Sequence, residues 1–256
     1  MTLREKINRK EKLIGAYTLL RDPAALRIVG LSGYDAVWID TEHSPINNET
    51  LFDQILTLRA TGTPVFVRVP EDDLTATKRT LEMGIDAIIF PMVKSAEEAR
   101  RLISYTLYPP EGIRGFGPLG AIDFGISSAF DYLDASKDTL CRFIQIEHRE
   151  LIECLDEVLE IPYLDGFVFG PNDLAGSYGS IKNALSDEIA TVMREAIKKI
   201  HAKGKYVVIA SGGYSDEVVS HWASFDADMI FAGADYEFIR DGAKKNKLNL
   251  EMLFKK

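Results

Sequence analysis

Short unbroken apolar runs alternate along this chain with longer stretches in which apolar residues recur every three or four positions. The runs are Leu13–Thr18, Ala36–Asp40, Val65–Val69, Ala87–Pro91, Cys141–Glu147, Gly166–Gly170, Tyr206–Ala210 and Met229–Gly233. Their length and their β-branched and aromatic content suit strands covered on both faces, as in a parallel sheet. A helical pattern follows each, most clearly over Asn48–Ala60, Leu74–Met83, Ala96–Thr106, Arg149–Glu160 and Ser186–Lys203. Asp22-Pro23, Ser95 with Glu98, and Ser215-Asp216-Glu217 mark helix starts, and Gly84 and Gly204 mark helix ends. Eight such alternations predict an α/β fold of the (β/α)8 TIM-barrel type, one domain over residues 1–256. The alternative is an open doubly wound sheet. Against it, the first strand–helix turn carries no dinucleotide-binding glycine fingerprint.

One stretch breaks the rhythm. Residues 108–139 begin Tyr108-Pro109-Pro110-Glu111-Gly112-Ile113-Arg114-Gly115-Phe116-Gly117-Pro118. Irregular segments of this length inside a domain usually serve function or assembly.

The 256 residues are 46% apolar and carry a net charge of −9. That balance argues against a nucleic-acid partner, which calls for a basic face. No apolar run reaches the ~18 residues of a membrane span, and the charged start lacks the apolar core of a signal peptide. A cytoplasmic location is the expectation. Cys141 and Cys154 have no metal or redox spacing and read as buried thiols.

In a barrel of this type the chemistry sits at the carboxyl ends of the strands. Those ends read Asp40-Thr41-Glu42-His43, Arg68-Val69-Pro70, Gln145-Ile146-Glu147 and Gly170-Pro171-Asn172-Asp173. Glu147 and Asp173 close successive strands and offer the hard oxygen ligands that Mg²⁺, Mn²⁺ or Co²⁺ accepts. Helix capping, or pairing with Arg142 and Arg149, is the other use for these carboxylates. His43 follows strand two, across the barrel from strand six, and imidazole is a general base suited to neutral pH. Arg68 lies inside an apolar run, where a guanidinium needs an anion. A substrate carboxylate or developing enolate would serve, as would Asp40 or Glu42. His148, His201 and His221 read as structural. Ser211-Gly212-Gly213-Tyr214-Ser215 is either an anion-binding loop or a simple helix cap.

These motifs, with Phe90-Pro91-Met92-Val93 and Gly112-Ile113-Arg114-Gly115-Phe116-Gly117, occur in the order found in a known family. From about Gly15 to Gly233 the chain resembles the class II pyruvate aldolases, which include 4-hydroxy-2-oxoheptanedioate aldolase and 2-dehydro-3-deoxyglucarate aldolase. The resemblance implies a divalent metal on Glu147 and Asp173, His43 as base and Arg68 as pyruvate-binding cation. It further implies Gln145 beside the site, backbone amides of Asn172 and Asp173 on the pyruvate carboxylate, and Glu82 as acidic partner of the histidine. Phe116 would line the aldehyde pocket, in some relatives that of a neighbouring subunit, and a hexamer is implied. The chain departs from the family at Thr41, where Gly is common, and at Asn172, where Ala or Ser is frequent. Gly120-Ala121 stands in place of an Arg-Ala pair, which questions the usual acidic co-substrate.

The expected function is reversible, metal-dependent cleavage of a 4-hydroxy-2-oxo acid to pyruvate and an aldehyde. Rival readings are a Schiff-base aldolase using Lys94 (Lys205 falls at the wrong end of its strand), a citramalyl- or malyl-CoA-type lyase, and a catalytically silent barrel kept for binding.

Overall fold

Side chains along a strand point alternately to its two faces, and here the two faces sort into two cores. Val37, Ile39, Val65, Val67, Ile88, Ile144 and Phe167 pack outward against helices. Ala36, Trp38, Phe66, Ile89, Phe143, Val208 and Phe231 fill the space enclosed by the strands. Each fully buried side chain of this size stabilises the fold by roughly 1.5–3 kcal/mol.

A computed structural model describes residues 1–255. Its strands are β1 (Leu13–Thr18), β2 (Ala36–Asp40), β3 (Val65–Arg68), β4 (Ala87–Phe90), β5 (Cys141–Ile146), β6 (Gly166–Phe169), β7 (Tyr206–Ala210) and β8 (Met229–Ala234). They pair in parallel in sequence order and close into a barrel. The open-sheet alternative is thereby excluded, since β8 pairs with β1. The helix Leu3–Asn8 inserts Leu3 and Ile7 into the inner core and plugs the amino-terminal end. Among the described residues no helix is long and apolar enough to cross a membrane.

The seam between β8 and β1 is locked at the mouth by one buried carboxylate. Asp235 accepts hydrogen bonds from Thr18 Oγ1 at 2.7 Å, from Leu19 N, and from Leu20 N at 3.0 Å. Asp22, Ser95 and Ser215 cap their helices as expected. Gly84 and Gly204 follow helix ends with φ of +88° and +70°.

Two expectations are corrected. The helix expected over Arg149–Glu160 breaks at Cys154 into Arg149–Glu153 and Leu155–Val158. The irregular stretch 108–139 contains a helix, Ala129–Thr139, capped by Ser128. That helix has a single buried residue, Ser136, so it lacks the apolar stripe that would have announced it.

Candidate active site

Glu147 and Gln145 lie two residues apart at the end of β5, so alternation turns both side chains to the barrel axis. Gln145 is 2% exposed and Glu147 3% exposed. Gln145 Nε2 donates to Glu147 Oε2 at 2.7 Å, and its Oε1 accepts from Arg68 Nη1 at 3.4 Å. The amide therefore links the guanidinium of β3 to the carboxylate of β5. The backbone N–H of Met92 donates to the other oxygen of Glu147. Met92 sits at φ +55°, a strained conformation for a residue with a side chain.

No cation touches Glu147 among the described residues. Burial pushes its carboxyl up to about 7, with the charges of Glu42 and Asp173, against the Met92 hydrogen bond and the charge of Arg68. Gly170 leaves the space in front of it. A Cβ at Gly170 would stand 2.8 Å from Gln145 Nε2 and 3.2 Å from Glu147 Oε2. Asp173 projects from the first turn of the helix Pro171–Ser177 that follows β6.

Arg68 is 9% exposed and already has anions. Nε and Nη2 grip Asp40 at 2.9 and 2.6 Å, and Nη1 lies 3.0 Å from Glu42 Oε2. Pairing with Asp40 and Glu42 thus supplies the charge balance that the sequence left open between them and a substrate. Burial raises the Glu42 carboxyl in spite of Arg68. Asp40, Glu42, Glu147 and Asp173 surround the guanidinium of Arg68 on this side of the mouth.

A cavity of about 270 Å³ opens here, lined by Tyr17, Trp38, Asp40, His43, Arg68, Gln145, Asn172, Asp173 and Gly212 among others. His43 stands at its rim with Nε2 3.6 Å from Glu42 Oε2. A larger apolar cavity, about 450 Å³, lies outside the barrel between Ile28 and Ile239 and holds none of this chemistry. The cavity at the mouth contains no lysine among the described residues. Lys94 is exposed beyond β4, and Lys205 donates to Leu164 O at the foot of β7. That removes the structural basis for a Schiff base.

Two residues do not join the others within this chain. Glu82 ends its helix on the amino-terminal side of the barrel, with Oε1 2.9 Å from where a Cβ on Gly117 would be. Phe116 belongs to the same outer cluster, 5.7 Å from Tyr108 and stacked on Phe130 at 6.2 Å. Within one chain neither faces His43 or the cavity. The remaining histidines are structural: His148 accepts from Glu150 N, His201 pairs with Asp228 at 2.9 Å, and His221 packs on Trp222. Ser215 caps the helix after the Ser211 loop. Sequence reasoning missed Tyr17 and Trp38, which read as strand residues and yet form the inner wall of the cavity.

A closed parallel barrel with its polar residues gathered at the carboxyl mouth is a (β/α)8-barrel enzyme. The chain belongs to the HpcH/HpaI aldolase/citrate lyase family, whose model matches residues 13–223. It is 30% identical over 244 residues to a hydroxypyruvate/pyruvate aldolase of Roseovarius nubinhibens, covering 95% of this chain and 94% of the relative. It is 31% identical over 240 residues to a 4-hydroxy-2-oxo-heptane-1,7-dioate aldolase of Salmonella dublin, with 91% of each covered. Among solved structures, the citrate synthase SbnG superposes with a TM-score of 0.87 at 25% identity, covering 100% of this chain and 99% of that one.

Proposed function

We propose that this chain is a carbon–carbon lyase that reversibly cleaves a 4-hydroxy-2-oxo acid to pyruvate and an aldehyde, with a divalent cation on Glu147 and Asp173. One observation carries the reading: a buried carboxylate without a cationic partner, at a mouth where carboxylates surround the guanidinium of Arg68. The donor set fits Mg²⁺, Mn²⁺ or Co²⁺. Among the described residues no group of three or more His, Cys, Asp or Glu side chains is placed to hold a metal. The rest of the shell then falls to water and substrate oxygens, as hard cations accept.

Glu147 and Asp173 would hold such a cation, and the chemistry it would supply is Lewis-acid charge beside the substrate's oxygens. Arg68, fixed by Asp40 and Gln145, adds positive charge where the 2-oxo oxygen gains electrons as the C3–C4 bond breaks. His43 takes the proton from the C4 hydroxyl, which becomes the aldehyde carbonyl, and returns it in the synthetic direction. The amides of Asn172 and Asp173, at a helix start, suit the substrate carboxylate. Glu82 and Phe116, away from the chain's own cavity, would reach one only across the interface of an oligomer.

Pyruvate release from a panel of 4-hydroxy-2-oxo acids tests this, comparing EDTA-stripped protein with protein given Mg²⁺, Mn²⁺ or Co²⁺. Turnover restored by metal is expected. Equal rates with and without metal would remove the cation from the reading, and no release from any substrate would remove the lyase.

A further inference from the structure

We infer that Tyr17 and Trp38 form an uncharged oxyanion hole, their hydroxyl and indole N–H donating to the oxygen that turns negative when the 2-oxo acid becomes its enolate. The inference rests on the aldol reading of the site and adds two catalytic residues to it. Tyr17 and Trp38 face each other in register on β1 and β2, with ring centroids 5.3 Å apart. Tyr17 Oη and Trp38 Nε1 are both buried, and neither has a hydrogen-bond partner among the described residues. Of the buried atoms in that position, these are the two whose residues line the cavity at the mouth. The Ser211 backbone approaches Oη, yet its N–H already donates to Phe231 O at 3.0 Å.

Buried polar groups in native proteins are almost always satisfied, so two orphaned donors in one binding cavity point to an acceptor that arrives with the substrate. An indole N–H only donates. Burial pushes the Tyr17 phenol far above its ordinary range, so it stays protonated and can donate as well. Arg68 does not fill this role. Its Nε and Nη2 donate to Asp40, and its Nη1 faces Glu42 Oε2 at 3.0 Å and Gln145 Oε1 at 3.4 Å. Its guanidinium carbon lies 5.3 Å from the Trp38 ring centre, so it lends positive charge while Tyr17 and Trp38 hold the free hydrogens. In cleavage the C3–C4 electron pair becomes the C2–C3 double bond, and a pair from C2=O moves onto the oxygen. When pyruvate enolises alone, a C3–H bond breaks, the proton leaves to solvent and the same oxygen gains the charge. Donors fixed on two barrel strands need no reorganisation at that moment.

Deuterium exchange at C3 of pyruvate, followed by NMR in D2O with the Mg²⁺-loaded enzyme and no aldehyde, reads enolate formation by itself. Pyruvate binding is measured separately by calorimetry. Tyr17→Phe, which keeps the ring and loses the hydroxyl, should slow exchange about 10²-fold. Its pyruvate affinity should stay within about threefold of wild type, because the missing bond forms only as the charge develops. Trp38→Phe should act in the same direction and serves if the first variant does not fold. Exchange within about threefold of wild type in both variants overturns the inference, and so does a loss of affinity that matches the loss of rate. A wild type that binds pyruvate and exchanges nothing also overturns it. Pyruvate release from the 4-hydroxy-2-oxo acids then shows whether the aldol reading falls with it or stands alone.

Discussion

Arg68 holds Asp40 with two nitrogens, Nε at 2.9 Å and Nη2 at 2.6 Å, across the pair of strands β3 and β2. A planar fork can do this and an ammonium cannot. Arg68→Lys should therefore leave Gln145 and Asp40 misaligned as well as weaken the charge near the 2-oxo oxygen. A fall in kcat of about 10²–10³-fold is expected, read by coupled pyruvate release. A fall of less than threefold would place Arg68 outside the reaction.

Glu147 makes stability depend on pH. Its carboxyl is raised to about 7, so the folded protein holds that proton more tightly than the unfolded chain does. The associated stability is complete below the ordinary carboxylate range and is lost as pH rises through about 7. The loss is on the order of 3 kcal/mol. In EDTA, Glu147→Gln should melt higher than wild type at pH 8, by roughly 5–10 °C. The gap should close near pH 4.5. A constant gap across that range would refute the assignment.

Gly170 protects the space before the same carboxylate. In Gly170→Ala the new methyl would meet Gln145 Nε2 and Glu147 Oε2. Divalent-cation affinity, measured by calorimetry, should weaken by roughly tenfold or more, a cost of a kind with other overpacked sites. Unchanged affinity would mean that the cation binds elsewhere.

Cysteine labelling offers a check independent of substrate. Cys141 is fully buried, and burial pushes its thiol up to about 12. Cys154 is half-buried. At pH 8 a disulfide reagent should label at most Cys154 in the native protein and both thiols after denaturation. Fast labelling of Cys141 in the native state would contradict the packing of β5.

The segment after residue 108 presents Phe116, Phe124, Ile126 and Phe130 to solvent, each at least 52% exposed. An oligomer would cover apolar surface of this kind. Light scattering should show an oligomer, and Phe130→Asp should shift it to a smaller species. A wild-type monomer would leave Glu82 and Phe116 without a site to join.

The barrel was legible because strands buried on both faces need unbroken apolar runs, and all eight strands of the structure coincide with such runs to within one residue at either end. The positions of His43, Arg68, Gln145, Glu147 and Asp173 around one mouth followed from the rule that barrel loops carry chemistry. Partners were harder to read. The sequence left Arg68 open between a substrate and Asp40 or Glu42, and the fold pairs it with both carboxylates and bridges it to Glu147 through Gln145. Tyr17 and Trp38 were hidden for a related reason: an aromatic in a strand looks the same whether its polar atom is satisfied or orphaned. Glu82 was placed by resemblance, and the three-dimensional path of its helix carries it to the opposite end of the barrel.

Asp235 gives the mouth a history as well as a shape. The carboxylate that fastens Thr18, Leu19 and Leu20 lies 217 residues downstream of Thr18. At about 5–20 residues per second on a ribosome, roughly 10–40 s separate the synthesis of the first strand from that of the residue that secures it. The first strand's rim must wait, unfastened, for most of the chain's manufacture. A stalled or prematurely ended product would hold Glu147 and Asp173, just past β5 and β6, and still lack a finished entrance. Arrival of Asp235 is in this sense a late step in building the mouth.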